Sequence, residues 1–350
     1  MFFSKSKDIV GIDIGSNSVK LVQLKEQKGA YYLQSVGIVP LPPEAIVDNT
    51  LMDSSSIVEA MRKLLKSLNI KGKDAACSVS GNSVIIRKIT LPAMSAEELE
   101  DQIHWEAEQY IPFDINDVNI DFQILASDKI DLTKMDVLLV ASKKDIINDY
   151  LAVFNETGIR LAVVDVDSFA VQNAFELNYD VDVEDVFALI NIGASIMNLN
   201  IVKGGISLFT RDVQMGGNLY TEEIQKQFGV SSEDAERIKI TGDCSDQTRL
   251  SDTISRINET LAMEMRRSLD FYNTTAGEGK INEVYISGGG AKIAMLAEAV
   301  HQRLGLPVEI LNSFRKIKYN EKEFAPEYLT DMGPLVTVAV GLATRRFGDK

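Results

Sequence analysis

Two histidines, two cysteines and one tryptophan in 350 residues leave little room for several kinds of chemistry. His104 and His301 each stand alone in the sequence, so neither a zinc cluster nor a histidine-based nucleophilic triad can be read from the spacing. Cys77 and Cys244 allow at most one disulfide and have no partner at metal-ligand spacing, which leaves both as small apolar side chains. Long hydrophobic runs are missing too. Val137 to Ala141 and Val336 to Ala343 fall well short of the roughly 20 apolar residues that a membrane-spanning helix needs. Positive charge is scarce, with 36 Lys+Arg against 51 Asp+Glu and a formal charge of −15, the wrong sign for a non-specific binder of DNA or RNA. The opening Met1-Phe2-Phe3-Ser4-Lys5-Ser6-Lys7 has neither an apolar core nor a cleavage site of a signal peptide, so a cytoplasmic protein is expected. Carboxylates, amides and glycines remain to carry any chemistry.

A length of 350 exceeds what one hydrophobic core serves, so two or more domains are expected. Alternation and β-branched residues mark Ile9 to Ile14, Ser18 to Leu24 and Tyr31 to Val39 as successive strands. Ile57, Val58, Met61, Leu64, Leu65 and Leu68 then recur at helical spacing behind Ser54 to Ser56 as N-cap, before strands at Ala76 to Val79 and Val84 to Leu91. Past Pro92, the capping box Ser95-Ala96-Glu97-Glu98 opens a helix with Leu99, Ile103 and Tyr110 that Pro112 closes. Strands at Val118 to Leu125 and Asp136 to Ala141 and a helix over Lys144 to Glu156 complete a small insert. A strand at Leu161 to Val166 and a helix at Ser168 to Leu177 lead out of it.

The opening pattern then repeats, with strands at Val186 to Ile192, Ile196 to Val202 and Ile206 to Val213 followed by Gly216-Gly217 and a helix with Ile224 and Phe228. Duplication of this kind predicts two α/β lobes joined by packed elements. Ser231-Ser232 starts a helical region that includes a long helix over Asp252 to Tyr272. Val284 to Ser287 is a strand running into Gly288-Gly289-Gly290 and a helix with Met295, Leu296 and Val300. A last helix over Pro334 to Arg345 carries Gly341 and Ala343, small enough for close packing. The expected divisions are a first lobe at 1–90, an insert at 91–162, a return helix of the first lobe at 163–184 and a second-lobe core at 185–220. A helical subdomain at 221–280, more second-lobe core at 281–332 and a C-terminal helix on the first lobe at 333–350 follow.

Asp13-Ile14-Gly15-Ser16-Asn17-Ser18 sits at the turn between the first two strands. Glycine there lets backbone amides approach an anion, the hydroxyls and Asn17 add donors, Asp13 can hold Mg²⁺ through water, and Lys20 can reach phosphates. An ordinary hairpin would also use these residues. Asn191-Ile192-Gly193-Ala194-Ser195 occupies the same place in the second set of strands, and two such hairpins facing each other would clamp phosphates. Gly288-Gly289-Gly290-Ala291 follows a strand and opens a helix, where amides can donate to a ligand. Neither a P-loop nor a Gly-x-Gly-x-x-Gly fingerprint is present.

Two ribonuclease-H-like lobes, Asp13-x-Gly15, Asn191-x-Gly193 and Ser287-Gly288-Gly289-Gly290-Ala291 together resemble the actin, sugar kinase and Hsp70 ATPase superfamily over nearly the whole chain. The insert, in place of the usual actin subdomain, is similar to that of FtsA. Three runs, Val10-Gly-Ile-Asp-Ile-Gly-Ser-Asn-Ser-Val-Lys-Leu-Val22, Arg87-Lys-Ile-Thr-Leu-Pro92 and Glu106-Ala-Glu-Gln-Tyr-Ile-Pro-Phe113, with Asp121-Phe-Gln-Ile-Leu125, resemble the type IV pilus assembly protein PilM family. The implied fold is α/β and actin-like, two lobes of duplicated ribonuclease-H-like domains with an FtsA-type subdomain inserted in the first.

The resemblance implies ATP and Mg²⁺ as cofactors. It assigns Asp13, Gly15, Ser16, Asn17 and Lys20 to a first phosphate motif, Asn191, Gly193 and Ser195 to a second, and Gly288, Gly289 and Gly290 to adenosine. Gly216, Gly217 and Asn218 resemble a turn near the phosphates. Glu264 and Arg267 are either ribose and adenine contacts or a surface ion pair, and Asp165 or Asp167 stands where active members place a catalytic group. Asn191 replaces the Asp that normally opens the second motif, which implies slow hydrolysis or none. The implied partner is the cytoplasmic tail of PilN, with PilO and with PilB, PilT and PilC in the assembly. The implied place is the cytoplasm, at the inner membrane through those partners, with a homo-oligomer or ring also open. Trp105 and Tyr110 are either anchors of a peptide groove or core of the insert. Two rivals are an FtsA-like polymer and a small-molecule kinase of the same superfamily. Against the first, Arg345 to Lys350 offers no linker and amphipathic anchor.

Overall fold

The computed structural model describes residues 9–127, 133–275, 277 and 279–348, so the expectations for Met1 to Lys7 and for Asp349 and Lys350 fall outside it. The chain opens with an antiparallel meander of β1 (Val10–Ile14), β2 (Ser18–Gln27) and β3 (Ala30–Pro40), with Asp13 opposite Lys20 across the first turn. A hairpin of β4 (Ile46–Val47) and β5 (Thr50–Leu51), too short to leave a periodic signal, leads to α1 (Ser54–Ser67). Its cap is Asp53 and not the serines, because the Asp53 carboxylate accepts from the Ser56 N–H at 3.0 Å and a negative charge suits a helix start. Ile57, Met61 and Leu64 pack under Val10, Ile12, Val19 and Leu21 in one buried cluster. β6 (Asp74–Val79) then runs parallel to β1.

A 3₁₀ turn at Gly81–Ser83 leads into the insert, which comprises β7 (Val84–Pro92), α2 (Ala96–Ala107), β8 (Val118–Ser127) and β9 (Lys134–Lys143). Its sheet order is β7-β9-β8, with Val84 opposite Ser142, so the insert's sheet begins at Val84, ahead of the boundary read at residue 91. Leu99, Ile103 and Ala107 bury one face of α2 against Ile89, Leu91, Val137 and Leu139. The helix stops before Tyr110, which packs half-buried in the following turn, and Trp105 points outward at 79% exposure, which removes it from the insert's core.

α3 (Lys144–Thr157) runs back and ends at Gly158, β10 (Arg160–Val166) joins β6 in parallel, and α4 (Asp167–Asn178) crosses toward the second half. There the meander recurs as β11 (Val186–Ile192), β12 (Met197–Lys203) and β13 (Ile206–Val213). The helices α5 (Asn218–Phe228), α6 (Ser232–Thr241) and α7 (Gln247–Thr275) follow, and then β14 (Ile281–Ser287), parallel to β11. Next come α8 (Leu296–Leu304), β15 (Val308–Ile310), α9 (Pro326–Met332) and α10 (Thr337–Leu342). Met295 lies outside α8, as its left-handed cap at φ 62°, 70% exposed. The two sheets run β10-β6-β1-β2-β3 and β13-β12-β11-β14-β15, which is one topology used twice.

α10 is shorter than the run from Pro334 to Arg345 suggested, yet its small residues do what small residues allow. A Cβ on Gly341 would stand 1.7 Å from the Ala170 carbonyl of α4, and one on Gly11 of β1 would stand 2.1 Å from the Ala339 carbonyl. The helix is therefore wedged between α4 and the first sheet. Among the described residues, no helix is long and apolar enough to cross a membrane.

Candidate functional site

The β1–β2 turn closes with the Gly15 N–H donating to the Ser18 carbonyl at 3.1 Å, and Lys20 Nζ holds Asp13 Oδ2 at 2.9 Å. At the start of α4, Asp167 Oδ1 accepts from Ser78 Oγ at 2.5 Å. Burial, and then the charge of Asp13, raise the Asp167 carboxyl to about 6 against the opposing hydrogen bonds of Ser78 and Ser80. Asp13 and Asp167 thus share one end of the first sheet. Asp165, still within β10, pairs instead with Arg345 at 3.1 Å; the chain leaves the strand for α4 at Asp167, so the alternation that would put residues 165 and 167 on one face is broken there.

In the second lobe the Gly193 N–H donates to the Ile196 carbonyl at 2.8 Å. The Gly217 and Asn218 N–H groups donate to the Gly193 and Ala194 carbonyls at 2.9 and 2.8 Å, and Asn218 Nδ2 reaches Ser195 Oγ at 3.1 Å. The turn after β13 is therefore stitched onto the hairpin. Asn191 is turned into the sheet. Its Nδ2 donates to Asn198 Oδ1 at 3.1 Å and its Oδ1 accepts from Ser287 Oγ at 3.3 Å. Asn198 donates in turn to Asp212 Oδ1 at 2.8 Å, and Asp212 Oδ2 accepts from the Gly81 N–H of the first lobe at 2.5 Å. Burial pushes the Asp212 carboxyl above its ordinary range while these two donors pull it back.

The glycines divide into two groups. A Cβ would meet backbone oxygen at 2.9 Å on Gly193, at 2.4 Å on Gly216 and at 2.4 Å on Gly288, and Ile192 Cγ2 at 2.3 Å on Gly290, so close packing within the chain demands these four. At Gly15, Gly217 and Gly289 the nearest atoms are Lys20 Nζ at 3.3 Å, Lys239 Nζ at 3.6 Å and Leu335 Cδ2 at 3.7 Å, all ends of flexible side chains. Nothing in the chain needs those three to lack a side chain. They form a bare lining that fits close approach by phosphate and sugar.

Two further residues belong beside them. Lys239 Nζ, 8% exposed, lies 2.5 Å from Glu236 Oε2, 3.0 Å from Thr221 Oγ1 and 3.3 Å from the Gly217 carbonyl. Asn17 Nδ2 of the first hairpin reaches across to Glu236 Oε1 at 3.3 Å. The sequence signal was an i, i+3 acid–base pair on α6, the same form as Glu264 with Arg267. That second pair is an ion pair at 2.9 Å, and Glu264 also binds Arg211 of β13 at 3.1 Å. An open groove of about 810 Å³ along the first half of α7 is lined by Gln227, Arg249, Thr253 and Arg256, none of which belongs to the hairpins. Among the described residues no three His, Cys, Asp or Glu side chains are grouped to hold a metal ion.

Known proteins share this fold. A chain of the solved PilM–PilN type IV pilus biogenesis complex matches with a TM-score of 0.87 at 28% identity, over 96% of this chain and 97% of that one. MreB5 of Spiroplasma citri, solved with ADP bound, matches the fold at a TM-score of 0.50 and 12% identity, over 95% and 94% of the two chains. The cell division protein FtsA of Bacillus subtilis (strain 168) is 23% identical over 253 residues, 66% of this chain, and the match spans 57% of that relative's length. The family model described as type IV pilus assembly protein PilM matches residues 11–347. Since that match runs from β1 to the turn beyond α10 and takes in both lobes and the insert, the chain belongs to the type IV pilus assembly protein PilM family, on an actin-like fold.

Proposed function

We propose that this chain is the nucleotide-binding, cytoplasmic part of a type IV pilus assembly platform, holding the N-terminal tail of PilN and linking PilN and PilO to PilB, PilT and PilC. The observation that carries the reading is the likeness, over 96% of the chain, to a protein solved as a PilM–PilN complex. Attachment to the inner membrane would come through these partners.

ATP with Mg²⁺ is the ligand that the bare lining of Gly15, Gly217 and Gly289 favours, with Ser16, Asn17 and Lys20 on the phosphates and Glu236 and Lys239 on the opposite wall. Hydrolysis would be slow. Asn191 carries no charge and its amide is already bonded to Asn198, while the nearness of Asp167 to Asp13 supports Asp167 as the carboxylate that would order a water. The nucleotide then acts mainly by favouring the closed arrangement of the lobes, and so sets partner affinity.

Titration of the full-length chain with a synthetic PilN tail peptide, with and without Mg-ATP, tests the reading. Saturable binding that an unrelated peptide does not reproduce, tightened or loosened by ATP, is expected. A folded, ATP-loaded chain that ignores the peptide would overturn it.

A further inference from the structure

The starts of β1, β6 and β10 and the turn between β2 and β3 share one end of the first sheet. Val10 lies opposite Gln23 and beside Ala75, Asp74 lies beside Arg160, and Gln27 closes on Ala30. The insert leaves from the other end of β6, one strand of about 20 Å away, and the Asp13–Gly15 turn lies at that other end too.

Cations gather on the first of these ends from four segments. Lys25 and Lys28 stand on the β2–β3 turn, with Lys28 in the left-handed region at φ 53°. Arg62 to Lys73, the end of α1 and the loop before β6, holds five cations and no carboxylate. Arg160 opens β10, and Arg346 follows α10. Nearby carboxylates are already taken, Glu156 by Arg62, Asp74 by Arg160 at 2.6 Å and Glu26 by Arg346. Lys25, Lys28, Lys63, Lys66, Lys71 and Lys73 are exposed and, among the described residues, have no carboxylate partner. An apolar group stands among them. The Phe347 ring is 74% exposed, with the Arg160 guanidinium 5.6 Å from its centre. Residues 1–8 join the fold at Ile9, beside this end, and by sequence bring Phe2, Phe3, Lys5 and Lys7 against the single Asp8.

A chain with a net charge of −15 is repelled by an anionic surface unless it turns such a face toward it. The insert enforces that orientation, because from Ile89 to Ser127 it carries nine carboxylates and no lysine or arginine, at the far end of the lobe. Cations drawn from a turn, a helix end and two strand starts make a broad face and not a slot shaped for one peptide. A partner that reads charge density over a broad area and accepts an exposed ring is a bilayer surface with anionic headgroups.

We propose that this end of the first lobe is a docking face for anionic lipid, with Lys25, Lys28, Lys66, Lys71 and Lys73 against the headgroups and Phe347 at the acyl boundary. The contact adds to attachment through partners and leaves the nucleotide hairpins and the insert facing away from the bilayer. It does not depend on the PilN reading, and the peptide titration can succeed or fail without altering it.

Flotation of the full-length protein alone with vesicles of phosphatidylcholine, with and without phosphatidylglycerol, tests the face. Binding is expected to the vesicles that contain phosphatidylglycerol, to rise with its share and to fall with added salt. K25E/K28E and K66E/K71E/K73E are each expected to weaken binding about tenfold or more, and Phe347→Ala to weaken it with no change of charge. E97Q/E100Q/D101Q, at the far end, should change it less than about twofold, since those charges lie beyond a Debye length from the face. The emission of Trp105, the one tryptophan, should stay unshifted on binding because α2 points away from the lipid. No binding at low salt, or equal binding to phosphatidylcholine alone, would overturn the proposal. So would binding that survives both lysine sets with circular dichroism showing an intact fold, a blue shift of Trp105, or capture by polyglutamate with none by vesicles, which would mark an acidic protein as the partner.

Discussion

Asp167 is a carboxyl held where its charge is disfavoured. Burial and the neighbouring Asp13 bring it to about 6, above its value in the unfolded chain, so the folded state binds this proton more tightly. The stability tied to that proton is full below about pH 4 and is lost as pH rises through about 6. Asparagine at this place keeps a neutral acceptor for Ser78. Asp167→Asn should therefore stabilise the ligand-free protein at neutral pH by on the order of 1–3 kcal/mol and flatten the fall in melting temperature between pH 4 and 7. Equal melting temperatures for the two proteins at pH 7.5 would contradict this.

The glycines give a second test at the same scale. Gly15→Ala puts a methyl group against the mobile end of Lys20, so it should change stability by less than about 1 kcal/mol while weakening nucleotide binding. Gly216→Ala drives a methyl group into two carbonyl oxygens and should cost about 1–3 kcal/mol or more. Melting curves with and without Mg-ATP separate the two effects. The sequence marks every one of these positions with the same letter. What divides them is the atom that a missing Cβ would meet, and that atom belongs to another part of the chain.

Among elements, α2 shows how much can be read locally. The Ser95 N–H donates to Glu98 Oε2 at 2.8 Å and the Glu98 N–H to Ser95 Oγ at 3.2 Å, which is the capping box that Ser95-Ala96-Glu97-Glu98 announces. Because the buried face of α2 packs within the insert's own cluster, Ser95→Ala should cost about 0.5–2 kcal/mol, felt in the insert. Hydrogen exchange should quicken in Ala96–Ala107 and stay unchanged in α7; uniform quickening would mean that insert and lobes unfold as one unit. Many of the longer strands and helices declare themselves through period, as the two meanders and α3 do, whereas α9, seven residues long, was not read from the sequence. β4, β5 and β15 are two or three residues long and leave no period to read. Tertiary placement also decides between equal local patterns: Glu236 with Lys239 stands against the Gly217 turn, and Glu264 with Arg267 is drawn to Arg211 on β13.

For the whole molecule, the repeated order of the two sheets was legible because each meander carries its own glycine turn, but the contacts between lobes were not, since they join residues more than a hundred positions apart. Two such contacts bracket the candidate site: Asn17 with Glu236, and the Gly81 N–H with Asp212. The second is the stronger constraint. Asp212 is held between Asn198 of its own lobe and Gly81, where the first lobe passes into the insert, and a Cβ on Gly81 would meet Ile196 of the second lobe at 3.1 Å. Asp212→Ala leaves two donors without an acceptor, which should cost about 1–3 kcal/mol. It also removes the bond that keeps the loop before β7 against β13. Small-angle scattering of the ligand-free variant should show a larger radius of gyration than the parent chain, and Mg-ATP should bring the two closer, because a ligand clamped by both hairpins supplies part of the lost closure. Should the variant lose stability yet scatter as the parent does, the Gly81–Asp212 bond would be local packing, and closure would rest on Asn17 and α4 instead.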